Sequence, residues 1–124
     1  VFEKHYYRQI AKMNKEEAEC ACVLDQHPHV NYWVRNLKRQ EQHAFWLPLA
    51  TGRFYPDFVV QLMDGRVLVV EYKGAHLDNA DTHEKTVVGK VWAKTSGNLF
   101  LMVFKSDHLG RDMAAQVRQA LEST

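Results

Sequence analysis

The chain has 124 residues, 46% hydrophobic and 25% charged, with a formal net charge of +1. That length fits one domain, able to bury roughly two thirds of the surface its unfolded form exposes. The near-zero charge excludes binding to nucleic acid or membrane by bulk charge alone, so any basic surface must be local. No apolar run approaches the ~20 residues of a membrane span, and no signal peptide is visible. Cys20 and Cys22 are too close along a helical-looking stretch to bridge. They read as small apolar residues in a reducing compartment, which suggests the cytoplasm. The start at Val1 suggests that residues 1–124 are a single domain cut from a larger protein.

Residues 1–12 (VFEKHYYRQIAK) mix aromatic and basic side chains, and either a short helix or an irregular lead-in fits them. Asn14 is a candidate N-cap, and Glu16, Glu17 and Glu19 suit a first helical turn. Ala18, Ala21, Cys22 and Leu24 supply an apolar stripe until His27-Pro28 ends the helix. Val30–Leu37 reads as a strand, followed by a polar loop, KRQEQH. Ala44–Ala50 reads as a second strand, with Pro48 favouring an edge, and Thr51-Gly52-Arg53 as a turn. Arg53–Gly74 (RFYPDFVVQLMDGRVLVVEYKG) reads as a hairpin. A polar loop, AHLDNAD, precedes a helix capped by Asp81 or Thr82 and running to about Ser96. Its expected apolar face is Val87, Val88, Val91 and Trp92, and Gly97-Asn98 stops it. Leu99–Lys105 is an apolar run expected to be buried on both faces. A last helix runs from about Gly110 to Leu121, with Met113, Val117 and Leu121 on one side.

The order is α-β-β-β-β-α-β-α. The strand-helix-strand unit from Arg66 to Lys105 predicts a parallel crossover behind an antiparallel meander. The expected fold is α/β, a three-layer arrangement with a mixed central sheet and helices on both faces.

Two registers compete for the hairpin. A two-residue Asp64-Gly65 loop sets Asp57 opposite Tyr72, so Asp57 and Glu71 point to opposite faces. A three-residue loop, Met63-Asp64-Gly65, with Gly65 left-handed in a bulge, pairs Leu62 with Arg66. It sets Asp57 opposite Glu71 on one face with Lys73, and only this register makes a single site. Cross-strand Cβ atoms lie about 5 Å apart, and two carboxylates there repel by roughly 3 kcal/mol at an effective dielectric of about 20. A cation removes that cost, and oxygen donors suit Mg2+, or Mn2+, better than zinc.

Tyr55-Pro56-Asp57 followed by Glu71-Tyr72-Lys73 resembles the PD-(D/E)xK nuclease superfamily. The stretch YPDFVVQL…GRVLVVEYKGAHL…DTHEKTVVGKVW is similar to the C-terminal nuclease domain of type III restriction (Res) subunits and related superfamily-2 helicase-like proteins. The resemblance implies a restriction-endonuclease-like core and a Mg2+-dependent DNA endonuclease, the effector of a protein whose helicase or translocase domains bring it to DNA. It implies that Asp57, Glu71 and the Tyr72 carbonyl hold metal, and that Lys73 orients water and stabilises developing charge. It also implies an acid from the first helix. Glu17 is the choice because it shares a face with Ala21 and Leu24; Glu16 and Glu19 are alternatives. Lys85 matches a lysine of the same pattern.

Lys85, Lys90 and Arg53 are candidate DNA contacts, in a rim with Lys94, Arg35, Lys38 and Arg39; a solvated charged face is the plainer reading. His83-Glu84 begins like HExxH, but Val87 stands where the second histidine would be. His27-Pro28-His29 reads as a turn rather than a metal site, and His76 and His108 carry no motif. Trp33, Trp46 and Trp92 fall in apolar patterns and are expected in the core. The rival readings are a nuclease-fold module that binds DNA or a partner without cutting, and a stand-alone homodimeric resolvase or repair nuclease.

Overall fold

Asn14 caps the first helix through its own side chain. In the computed structural model, which describes residues 2–5, 13–37, 44–74 and 79–122, helix α1 spans Lys15–Gln26. The Asn14 side chain accepts the Glu17 N–H, and the Glu17 carboxylate accepts the Asn14 N–H. This reciprocal box satisfies two donors that a helix start leaves unpaired. Cys20, Ala21 and Leu24 form the buried side of α1. His27 ends it, and the HPH stretch is a turn in which His27 Nδ1 accepts the His29 N–H.

The chain continues as β1 (Val30–Arg35), β2 (Leu47–Leu49), β3 (Gly52–Phe54), β4 (Phe58–Leu62), β5 (Val67–Gly74), α2 (Ala80–Ser96), β6 (Leu99–Phe104) and α3 (Met113–Glu122). Four strands form one mixed sheet in the order β1-β4-β5-β6. The β1–β4 and β4–β5 pairs are antiparallel, and β5–β6 is parallel. The described residues are therefore mixed α/β, with a mixed sheet and three helices. On one sheet face Trp33, Phe58, Val60, Leu68 and Val70 pack with Leu24 of α1 and with Val117 and Leu121 of α3. On the other, α2 lies so close that a Cβ on Gly89 would sit 2.5 Å from the Phe100 ring.

The β4–β5 hairpin has the three-residue loop. Phe58 pairs with Val70 and Gln61 with Val67, the Leu62 N–H donates to the Arg66 carbonyl, and the Gly65 N–H donates to the Leu62 carbonyl. Gly65 has φ +94°, the left-handed region the bulge demands. Continuing this pairing past Phe58 sets Asp57 opposite Glu71.

Several expectations are corrected. Five strands, not four, precede α2. Of Ala44–Ala50 only Leu47–Leu49 is a strand, and the stretch expected as a single strand from Arg53 divides at Tyr55-Pro56. Proline cannot donate to a ladder, so Gly52–Phe54 folds back on Leu47–Leu49 as a separate ribbon, and β1 pairs directly with β4. The cap of α2 is Asn79, whose side chain accepts the Thr82 N–H. Its inward face is Thr82 and Gly89, while Val87 and Val91 are exposed, because a close helix–sheet approach favours small residues there. Strand β6 is buried fully only at Met102 and Val103, since it is the outer strand of the described sheet. Its outward Phe104 N–H and C=O are bonded by the buried Gln116 side-chain amide. Helix α3 begins at Met113, not Gly110. Trp33 is core, but Trp46 is exposed and Trp92 half-buried against Phe45.

Candidate active site

The site forms where β4 begins and β5 nears its end. Asp57 and Glu71 are joined twice across the strands. The Asp57 N–H donates to Glu71 Oε1 at 3.1 Å, and Asp57 Oδ2 accepts the Tyr72 N–H at 2.8 Å. Burial, then the Asp57 charge, pushes the Glu71 carboxyl up to about 8, against the pull of Lys85. Burial and a neighbouring carboxylate both disfavour a charged Glu71.

Lys73 follows two residues along β5. Its Nζ lies 3.5 Å from Asp81 Oδ2 at the start of α2, and Lys85 Nζ lies 3.3 Å from the same oxygen. Asp81 was expected only as a cap; it is the residue that gathers two lysines beside the acids. It was missed because a helix-start Asp has a complete local explanation as a cap. Lys85 also lies 5.2 Å above the Phe54 ring, which makes its side chain part of the wall rather than loose surface.

Helix α1 supplies acids of two kinds. Glu16 accepts from the Tyr72 hydroxyl, and the phenol is held well above its usual range by burial and by that bond. Glu17 faces the sheet as expected, but the group it meets is Arg35. Arg35 Nη2 donates to Glu17 Oε2 at 3.1 Å, and Nη1 donates to Asp57 Oδ1 at 2.9 Å and to the Asp57 carbonyl at 3.2 Å. Expected in a DNA-contacting rim or on a solvated face, Arg35 is instead a largely covered bridge between the two acids. Glu19 is exposed. Among the described residues, no group of three or more His, Cys, Asp or Glu gathers to hold a metal.

No protein-family model, curated protein or solved structure matches the chain. What the site can do therefore has to be read from its own chemistry. Two adjacent hard oxygen donors and a neighbouring strand carbonyl, at Tyr72, fit an ion that takes one or two carboxylates and keeps its other positions for water or phosphate.

The other candidates are dispersed. Arg53 is exposed and stacks its guanidinium 4.2 Å from the Trp46 ring on the β2–β3 ribbon. Lys90, with His83 and His108, lines a groove of about 820 Å3 between α2, β6 and α3 that contains neither acid of the pair. Lys94 is exposed. Lys38, Arg39 and His76 lie outside the described residues. Cys20 and Cys22 are unpaired thiols, and burial pushes Cys20 up to about 12. No helix among the described residues is long and apolar enough to cross a membrane.

Proposed function

We propose that the chain is a metal-dependent DNA endonuclease domain with a restriction-endonuclease-like PD-(D/E)xK core. The observation that carries this reading is the Asp57–Glu71 pair, with the Glu71 carboxyl pushed up to about 8 by burial and Asp57 and with Lys73 next on the same strand face. Asp57, Glu71 and the Tyr72 carbonyl would hold Mg2+, or Mn2+. Bound there, the ion would act as a Lewis acid on a phosphodiester oxygen and lower the pKa of a water.

The chain's own residues supply the rest. Hydrolysis adds water across one phosphodiester bond: the water oxygen bonds to phosphorus, a P–O ester bond breaks, and the departing oxygen takes a proton. Lys73, steadied by Asp81, orients that water and stabilises the added negative charge on the phosphorane. Lys85 shares the Asp81 anchor and is the nearest basic candidate for a phosphate. Lys90 and Arg53 would meet DNA only along a more distant path. The weak net charge suits an effector module that borrows its affinity from helicase or translocase domains of a parent protein, in the reducing cytoplasm that its free thiols suit.

Plasmid cleavage with Mg2+, comparing the wild type with Asp57→Ala and Lys73→Ala, tests this. Cutting by the wild type alone is expected. Equal cutting by all three, or no cutting by the wild type within its intact parent protein, overturns it. One observation favours a second reading, a nuclease-fold module that binds DNA or a partner without cutting: Glu17 is tied to Arg35, and among the described residues no third acid joins the pair. DNA binding by a chain that never cuts would support that reading.

A further inference from the structure

We propose that Arg35 is a built-in cation that competes with the divalent ion for Asp57 and thereby keeps metal affinity low. This rests on the nuclease reading and names the residue that regulates its metal site. Arg35 closes β1, opposite Phe58 of β4. It shares a sheet face with Trp33, two residues earlier, so its side chain emerges between α1 and the strand ends. Its guanidinium lies 5.4 Å from the Phe58 ring centre. Its side chain is only 13% exposed, against 19% for Glu17 and 18% for Asp57.

Guanidinium does not lose its proton in proteins, so this charge is fixed at any working pH. One Arg35 nitrogen holds Glu17, and another holds Asp57 through both its side chain and its carbonyl. The third nitrogen, Nε, is buried without a hydrogen-bond partner. A buried orphan donor is a cost, and what offsets it here is attraction to the two carboxylates. Arg35 is thus held by charge rather than by a complete hydrogen-bond set, which is the condition for its hold on Asp57 to yield to another cation.

Asp57 feels this directly. One of its oxygens is committed to Arg35 and the other to the Tyr72 N–H. Each retains a lone pair, so a metal can still bind, but only beside a fixed positive charge. Arg35 also holds Glu17. That divided loyalty gives opposite expectations for its two sides. Without Arg35, Asp57 turns its full charge to the ion; without Glu17, Arg35 leans on Asp57 alone.

Titration calorimetry with Mn2+ on the full chain, without DNA, reads the effect. Arg35→Gln is expected to bind Mn2+ at least about tenfold more tightly than the wild type. Glu17→Gln is expected to bind more weakly, and Arg35→Lys, which keeps the charge, to stay within about threefold of the wild type. If Arg35 merely props Asp57 in place, Arg35→Gln weakens binding instead; that outcome, or no change, overturns the proposal while leaving the nuclease reading intact. Loss of Mn2+ binding in every protein including the wild type removes both. Circular dichroism verifies folding. Should Arg35→Gln not fold, Glu17→Gln decides alone, since unchanged or tighter binding there refutes competition.

Discussion

Asp57 and Glu71 each hold the other's strand: the Asp57 N–H donates to the Glu71 carboxyl, while the Asp57 carboxylate accepts from the residue after Glu71. The acids are therefore ladder elements as well as candidate ligands. Stability and activity should respond differently to their replacement. Glu71→Gln keeps an acceptor for the Asp57 N–H and removes a buried carboxyl that resists ionisation. The metal-free variant should melt at or above the wild-type temperature in calorimetry at pH 8, while Mg2+-dependent cleavage falls at least about a hundredfold.

Lys73 should separate chemistry from binding. Its Asp81 contact is largely exposed on the Asp81 side, and exposed ion pairs contribute little, roughly 0–1 kcal/mol. Lys73→Ala should leave the melting temperature nearly unchanged and Mn2+ affinity intact. Single-turnover cleavage should slow about a hundred- to a thousandfold. A loss of metal affinity of the same size would mean that Lys73 acts by shaping the pair.

Asp25 is a structural acid with a pH signature. It accepts from Trp33 Nε1 and from the backbone N–H groups of Glu3 and Lys4. Burial opposes its ionisation, but the Trp33 bond, then those of Glu3 and Lys4, outweigh burial and hold it below its usual value of 3.8. A depressed folded pKa stabilises the fold above the unfolded value, and that stability is lost as pH falls through the folded one. Asp25→Ala should cost about 3 kcal/mol in urea unfolding at pH 7 by leaving buried donors unpaired. The gap from wild type should narrow below pH 3.8, and a gap constant with pH would show that the charge is irrelevant.

Gly89 sets the spacing of α2 from the sheet. In an open helix, Gly→Ala stabilises by about 1 kcal/mol. Here the new Cβ would lie 2.5–2.6 Å from three carbons of the Phe100 ring. Gly89→Ala should instead destabilise by about 2 kcal/mol in denaturant unfolding, with partial recovery in the Gly89→Ala, Phe100→Leu double variant. A stabilised single variant would show that the ring yields.

The sequence carried what is decided locally. Asn14 announces a cap, and Asp64-Gly65 announces a tight turn that leaves two registers open; the three-residue loop, preferred because only it makes one site, is the one present, with Gly65 at φ +94°. What it hid depends on distant partners. Arg35 looks like any strand-end arginine until α1 brings Glu17 to it. The valines of α2 resemble a core stripe, yet the sheet's nearness selects Gly89. Pro56 divides a continuous apolar pattern into two sheets, although pattern alone suggested one strand from Arg53.

Gln116 has a consequence for how the molecule meets its neighbours. Its carboxamide has the same donor and acceptor as a peptide group, and it presents both to Phe104 at the sheet's outer margin. At that end of β6 a single side chain impersonates an adjoining strand. Unpaired strand margins recruit other chains and lead to aggregation. At Phe104 the fold answers the margin of the described sheet from within, so at that position β6 offers no unpaired peptide group to another chain.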